Sequence, residues 1–205
     1  SSDLEARRLA LAASERHPES VFAVACRNLV KQIESRELQV GTEQVWNSAG
    51  PEIELTYRNL EAAHFRLVPR EWTLGGQRWE TPENVSREAI LAALDQDPVI
   101  AWKSDLEKTE DFRRSTVRLP APTDQKPGFY LLIVSAAGNF ATEDNQLSAT
   151  TVWVSPLSLI TRQAPEGAEG FVLDALTGEP IAGAVIEVWS VDNNGRWKRD
   201  AINQK

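Results

Sequence analysis

The amino-acid sequence predicts a mainly β chain: an immunoglobulin-like antiparallel β-sandwich, preceded by an N-terminal α-helical hairpin and followed by a partial second β-domain. Three observations carry this. Apolar residues up to about Arg36 recur at intervals of three and four, the spacing of a helix face. From about Leu38 the period falls to two, and about seven strand-like runs separated by turn residues continue to Pro156, as in a sandwich. Strand and turn signals then start again near Gly170. At roughly 150 residues per domain, 205 residues make one domain plus part of another. The expected units are residues 1–37, residues 38–157 with an excursion at 69–98, and residues 158–205.

The first segment reads as two helices joined at His17-Pro18-Glu19-Ser20, because Pro is tolerated in the first turn of a new helix. In the second helix Phe22, Cys26, Leu29 and Ile33 form one stripe, expected to bury against the first helix or a further element. An extended stretch runs from Leu38 through Trp46. Ile53, Leu55 and Tyr57 then alternate with Glu52, Glu54, Thr56 and Arg58, a half-buried strand. After the turn Asn59-Leu60-Glu61 the alternation returns at Ala63, Phe65 and Leu67 against His64 and Arg66, which predicts a hairpin between the two strands.

From Pro69 to Pro98 the pattern breaks. Trp72, Gly75-Gly76 and Trp79 read as loop, and Asn84 as the cap of a helix over Val85 to Leu94. Strands resume at Val99 to Trp102 and at Ser115, Val117 and Leu119. Phe129 to Val134 is apolar on both faces and therefore central. The strand holding Thr150, Val152 and Val154 is limited by Pro156. The expected core comprises Phe65, Leu67, Val117, Leu131, Ile133 and Val152. Beyond a loop from Gln163 to Gly170, Phe171 to Leu173 reads as a strand and Thr177-Gly178-Glu179-Pro180 as a turn. Ala184, Ile186 and Val188 form the inward face of another strand, and Asp192-Asn193-Asn194-Gly195 is a hairpin turn leading into Arg196 to Arg199. About three strands are expected here, too few for a complete sandwich of ~100 residues, so their inward face should be incompletely covered.

Composition narrows the function. The chain carries 30 acidic and 22 basic residues, and a net charge of −8 repels the phosphate backbone that dominates nucleic-acid affinity. Its longest apolar runs fall far short of the ~18–20 residues that span a bilayer, so no membrane insertion by this segment is expected. With Ser1 at its start and no Met, the chain reads as an excised or processed piece. Its single cysteine, Cys26, excludes an intrachain disulfide framework and a Cys-based zinc site.

Catalytic constellations are not found. His17 at the helix joint and His64 on the polar side of a strand read as solvated surface residues. Gly75-Gly76 lacks the Lys-Ser/Thr of a phosphate-cradling loop, and Asp192 to Gly195 lacks the spaced ligands and distal Glu of a calcium loop. No catalytic, cofactor-binding or metal residue is assigned, and no cofactor is expected. Lys103 to Arg114 reads as a solvated loop of mixed charge. Trp72, Trp79 and Trp102 cluster around the excursion. They either close the end of the sandwich or form an exposed platform for sugar rings or a peptide.

Three stretches resemble a known family. "IELTYRNLEAAHFRLVP" (Ile53 to Pro69) is similar to the opening of the second-type macroglobulin domain of bacterial alpha-2-macroglobulin-like proteins. "LPAPTDQKPGFYLLIVSA" (Leu119 to Ala136) resembles the Leu-Pro, Pro-Gly-x-Tyr and long central strand of that domain. "VWVSPLSLITR" (Val152 to Arg162) and "GFVLDALTGEPIAGAVIEVW" (Gly170 to Trp189) resemble the junction into the next macroglobulin domain. The helices resemble the helical segment that precedes these domains in larger members.

The resemblance implies a macroglobulin-like fold and a secreted, periplasmic or cell-envelope protein that traps proteases after cleavage of a bait segment, in some members through an internal thioester. The thioester signature Cys-x-Glu-Gln is absent, since Cys26 is followed by Arg27-Asn28-Leu29. The implied role is a non-catalytic scaffold. Its partners would be other macroglobulin domains of the parent chain, with proteases as targets of the full-length protein. The alternative is a cell-surface carbohydrate-binding or adhesion module that uses the Trp set.

Overall fold

A computed structural model describes residues 2–47, 51–71, 85–108, 111–164, 167–191 and 197–200. Two helices come first, α1 (Ser2–Arg16) and α2 (Val21–Glu34). Ser20 caps α2, its side chain accepting from the Phe22 N–H at 3.2 Å and satisfying one of the donors a helix start leaves unpaired. The helices pack through Ala10 and Ser14 of α1 and Ala23, Val30 and Ile33 of α2. The expected stripe is therefore rotated: Ile33 is buried and Cys26 half-buried, but Phe22 is 80% exposed and Leu29 41% exposed. Small side chains let two helices approach closely, and the bulk of Phe22 stays outside.

The sandwich consists of two sheets. One holds β1 (Glu37–Thr42), β3 (Glu52–Arg58) and β6 (Ser115–Pro120) in the order β1-β3-β6. The other holds β2 (Val45–Trp46), β4 (Ala62–Arg70), β5 (Ile100–Asp105), β7 (Gly128–Ser135) and β8 (Leu147–Val154) in the order β2-β8-β7-β4-β5. All pairings within the two sheets are antiparallel except the short β2–β8 pair, which is parallel. The fold is thus mainly β, with antiparallel sheets packed face to face.

The expected hairpin between Ile53–Tyr57 and Ala63–Leu67 does not form. β3 pairs with β1 and β6, whereas β4 pairs with β5 and β7, so Asn59-Leu60-Glu61 crosses from one sheet to the other. Alternation reports only that each strand buries one face; it cannot distinguish two apolar faces set side by side from two set opposite each other. Leu60 is buried between the sheets, and Asn59 makes the bend at φ 56°. An amide-bearing side chain tolerates this left-handed conformation better than most.

The inter-sheet core contains Ile53, Leu55 and Tyr57 of β3, Phe65 and Leu67 of β4, Leu132 and Val134 of β7, and Val152 of β8. Trp46 seals it, its indole N–H donating to Thr42 Oγ1 at 3.0 Å. Leu131 and Ile133 are buried as expected, but on the opposite face of β7, with Val68, Phe140 and Ala93. Ala93 belongs to α3 (Arg87–Leu94), which covers that outer face. The doubly apolar run of β7 is thus central, with a sheet on one side and a helix on the other. Val117 is only half-buried, because β6 is the edge strand of its sheet among the described residues. The cap of α3 is Ser86, which accepts from the Ala89 N–H at 3.1 Å; Asn84 lies outside the described residues. Lys103 to Asp105 end β5 instead of joining a loop, and Leu106 beyond them is buried.

Downstream, β9 (Leu157–Ala164) and β10 (Gly167–Asp174) form an antiparallel ladder from Leu157↔Asp174 to Gly167↔Ala164. The region expected as a loop, Gln163 to Gly170, is mostly strand. Its Ala, Glu and Gly residues offer no apolar alternation, yet the backbone pairs Gln163 with Ala168 and Ala164 with Gly167. The expected turn at Thr177-Gly178 is present. Asp174 Oδ1 accepts from the N–H groups of Leu176 and Thr177 at 2.9 and 2.8 Å, and Gly178 takes φ 73°. The last pair is β11 (Val188–Val191) with β12 (Trp197–Asp200). Residues 184–187 do not form the expected strand: Ala184 and Ile186 are half-buried outside any ladder, and Val188 is 43% exposed. Among the described residues, the stretch from Gly170 onward holds three strands, β10, β11 and β12, as expected in number, but they belong to two separate two-stranded sheets, β10 pairing with β9 and β11 with β12, instead of one. The turn Asp192 to Gly195 lies outside the described residues.

Candidate functional site

Of the three tryptophans singled out, only Trp102 is among the described residues. It lies on β5, the outermost strand of its sheet, directly across from Phe65, and the two rings stack at 4.8 Å with planes 7° apart. One face of Trp102 is therefore occupied by a core side chain, and the indole packs half-buried against the inter-sheet core. Trp72 and Trp79 lie outside the described residues. A second aromatic pair, Phe129 with Trp153 at 4.7 Å, sits across β7 and β8 on the outer face; the sequence reading did not single it out.

The remaining chemically distinctive residues are dispersed. His17 is exposed at the helix joint, whereas His64 is half-buried on the outer face of β4. There His64 packs on Gly138, where an added Cβ would come within 3.1 Å of its imidazole. Cys26 is a free thiol on α2. Among the described residues no group of three or more His, Cys, Asp or Glu side chains could hold a metal ion. No described helix is long and apolar enough to cross a membrane.

Two surfaces stand out by their exposed apolar residues. On the helical hairpin these are Leu4, Leu9, Val21, Phe22, Val24 and Leu29. On the β9–β10 ladder, Leu157 and Leu159 lie on one face, with Ile160 and Phe171 on the other. Contiguous exposure of this kind marks contact surfaces in soluble proteins.

The most elaborate polar arrangement joins the hairpin to the sandwich. Asn59 Nδ2 donates to the carbonyls of Ile33 and Ser35, both at 2.9 Å. Arg58 donates to the Gln32 carbonyl at 3.0 Å and to Ser35 Oγ at 2.8 Å, and pairs with Glu37 at 2.6 Å. Arg114 also hydrogen-bonds Glu37. The Arg114 hydrogen bond, aided by the charge of Arg58, holds the Glu37 carboxyl below the usual carboxylate range against the opposing effect of burial. On α1, Arg7 pairs with Glu34 at 2.5 Å and lies 5.5 Å from the ring centre of Phe112. Nearby, Tyr57 donates to the Glu107 carbonyl at 2.9 Å, and burial pushes its hydroxyl up. A cleft of about 350 Å³ opens beside this joint, lined by Arg36, Asn59, Leu60, Glu61, Ala62 and Ala136. The sequence identifies Asn59 as a turn residue, but nothing in its spacing shows that the turn reaches a helix end some 25 residues earlier.

No family model and no curated protein matches the sequence. Among solved structures, the chain is similar to crystal structures of native alpha-2-macroglobulin from Escherichia coli. One spans domains MG0-NIE-MG1, with 16% identity and a TM-score of 0.46 over 71% of this chain and 47% of that one. Another spans domains NIE-MG1, with 16% identity and a TM-score of 0.47 over 82% of each chain. This chain thus spans about half of the first of these, and at such identity the likeness is one of fold alone.

Proposed function

We propose that the chain is a non-catalytic scaffold segment of a bacterial alpha-2-macroglobulin-like endopeptidase inhibitor, an extracytoplasmic protein of the periplasm, cell envelope or medium that traps proteases. Residues 1–37, 38–157 and 158–205 are its successive units. The observation that carries this reading is the junction at Ser155-Pro156. β8 ends at Val154 and β9 begins at Leu157, so a filled sandwich feeds directly into a second β unit. The connection is held on both sides: the Ser155 N–H donates to the Trp46 carbonyl of the sandwich at 2.9 Å, and the Ala175 N–H of the second unit donates to the Pro156 carbonyl at 2.7 Å. A tied, spacer-free connection transmits position from one unit to the next, which is what a scaffold supplies.

The stretches that carry the family resemblance build this frame. Ile53 to Pro69 makes the crossing between the sheets, and Leu119 to Ala136 includes the central strand. Val152 to Arg162 makes the junction. In this reading the exposed apolar residues of β9 and β10 pack against neighbouring macroglobulin domains of the parent protein, and Cys26 has no reactive role. The test has two arms. The parent protein, incubated with a protease, should suppress cleavage of a large protein substrate while sparing a short peptide substrate. Equal suppression of both, or of neither, contradicts trapping. The isolated chain should neither hydrolyse protein nor inhibit a protease, and covalent capture of a protease through Cys26 would refute its scaffold role.

A further inference from the structure

Only Ser35 and Arg36 separate the end of α2 at Glu34 from the start of β1 at Glu37. No residue of α1 or α2 belongs to either apolar cluster of the sandwich. Shared hydrophobic burial therefore does not set the direction in which the hairpin leaves the sandwich. The last carbonyls of an α-helix lack partners within the helix and carry the negative end of its dipole, so they attract donors and cations. Here the donors come from the end of β3 and the crossing turn: Asn59 takes the carbonyls of Ile33 and Ser35, and Arg58 takes the Gln32 carbonyl and Ser35 Oγ while pairing with Glu37, its cross-strand partner on β1.

We infer that Arg58 and Asn59 form a clamp that fixes the hairpin on the sandwich, so that the two helices move with it as a rigid lever. Three features distinguish this from a chance surface contact. Asn59 holds both its carbonyl partners from a left-handed backbone position, which joins the sheet-to-sheet crossing and the helix end in one residue. The Arg58 side chain is only 16% exposed, and its Nε is buried without an acceptor among the described residues. Such a position carries a desolvation cost that the three contacts of its terminal nitrogen must offset. Finally, every one of these contacts is polar, so releasing them leaves both apolar cores intact. The clamp can therefore be opened without unfolding either part. The inference rests on the joint alone and holds whether or not the parent protein traps proteases.

Distance measurement between two spin labels tests it on the full chain. In a Cys26→Ser background, labels at Glu15→Cys, at the distal end of α1, and Gln39→Cys, on the exposed side of β1, span the joint. The α2 arm is about 20 Å long at 1.5 Å per residue, so a small swing produces a large change in distance. The parent background should give one narrow peak. The double variant Arg58→Ala/Asn59→Gly should at least double its width while the amides of Leu132 and Ile133 stay protected. Glycine keeps the left-handed backbone and removes only the amide. If the double variant loses that protection, the single Asn59→Gly variant provides the comparison and should show the same broadening. A broad distribution in the parent, or a variant distribution that matches it, would overturn the clamp.

Discussion

β7 in the sandwich and the β9–β10 ladder downstream have strands of equal length, eight residues each, and continuous antiparallel pairing. Their fates differ completely. In β7 five consecutive residues, Leu131 to Ser135, are wholly buried, whereas Ile160 and Phe171, paired across β9 and β10, are 54% and 59% exposed. A ladder of hydrogen bonds is therefore not what makes a strand part of a core; the layers laid on its two faces are. β7 has a sheet over one face and α3 over the other. Among the described residues no residue of β9 or β10 joins either apolar cluster.

The comparison can be broken most directly by truncation. Leu132→Ala should cost about 2–5 kcal/mol in urea unfolding, because a wholly buried leucine leaves a cavity between two rigid sheets. Phe171→Ala on the open ladder should lie within about 0.5 kcal/mol of the parent. Near-equal costs would mean that the ladder is covered. Trp102→Ala comes next. Half-buried and stacked on Phe65, it should cost about 2 kcal/mol, less than a fully buried aromatic residue. A glycan screen gives the other side of the test: loss of sugar binding at unchanged stability would support an exposed platform.

These predictions also show where the sequence was legible. The period-two runs located most sandwich strands, and the apolar run from Phe129 to Val134 correctly placed β7 at the centre. What the sequence did not reveal was partnership. Ile53–Tyr57 and Ala63–Leu67 alternate identically whether paired side by side or set face to face, and only the bend at Asn59 and the buried Leu60 decide between them. Likewise Leu131 and Ile133 were legible as buried, but α3 as the element covering them was not. The ladder from Gln163 to Gly170 was missed because strands without a covering layer need no apolar face. Candidate site residues were the least legible, since contacts between Arg58-Asn59 and a helix end some 25 residues earlier have no sequence spacing of their own.

Smaller effects sharpen the contrast. Ser86→Ala removes the cap of α3 and should cost about 1 kcal/mol, with amides around Ala89 losing protection before those of β4. Protection unchanged at Ala89 would mean that burial alone holds the helix. At the joint, Glu37 should make stability depend on pH. Its folded carboxyl titrates below its unfolded value, so its contribution is fully present above the ordinary glutamate range near ~4.3 and is lost as pH falls through the depressed folded value. Comparing parent and Glu37→Gln unfolding curves isolates that contribution. The difference should shrink on acidification, and a gap that grows as pH falls would reverse the assignment.

Amide hydrogen exchange on a dilute sample of the full chain tests most directly the claim that coverage, not pairing, separates the two regions. Protection reports the free energy of opening, from near zero in weakly held segments to the global value in a core. Amides of Leu131 to Val134 should exchange only at the global unfolding limit, while those of Leu159, Ile160, Phe171 and Val172 exchange orders of magnitude faster despite their intact ladder. Equal protection of the two sets in a monomer would show that β9 and β10 belong to a closed core, and would contradict this account.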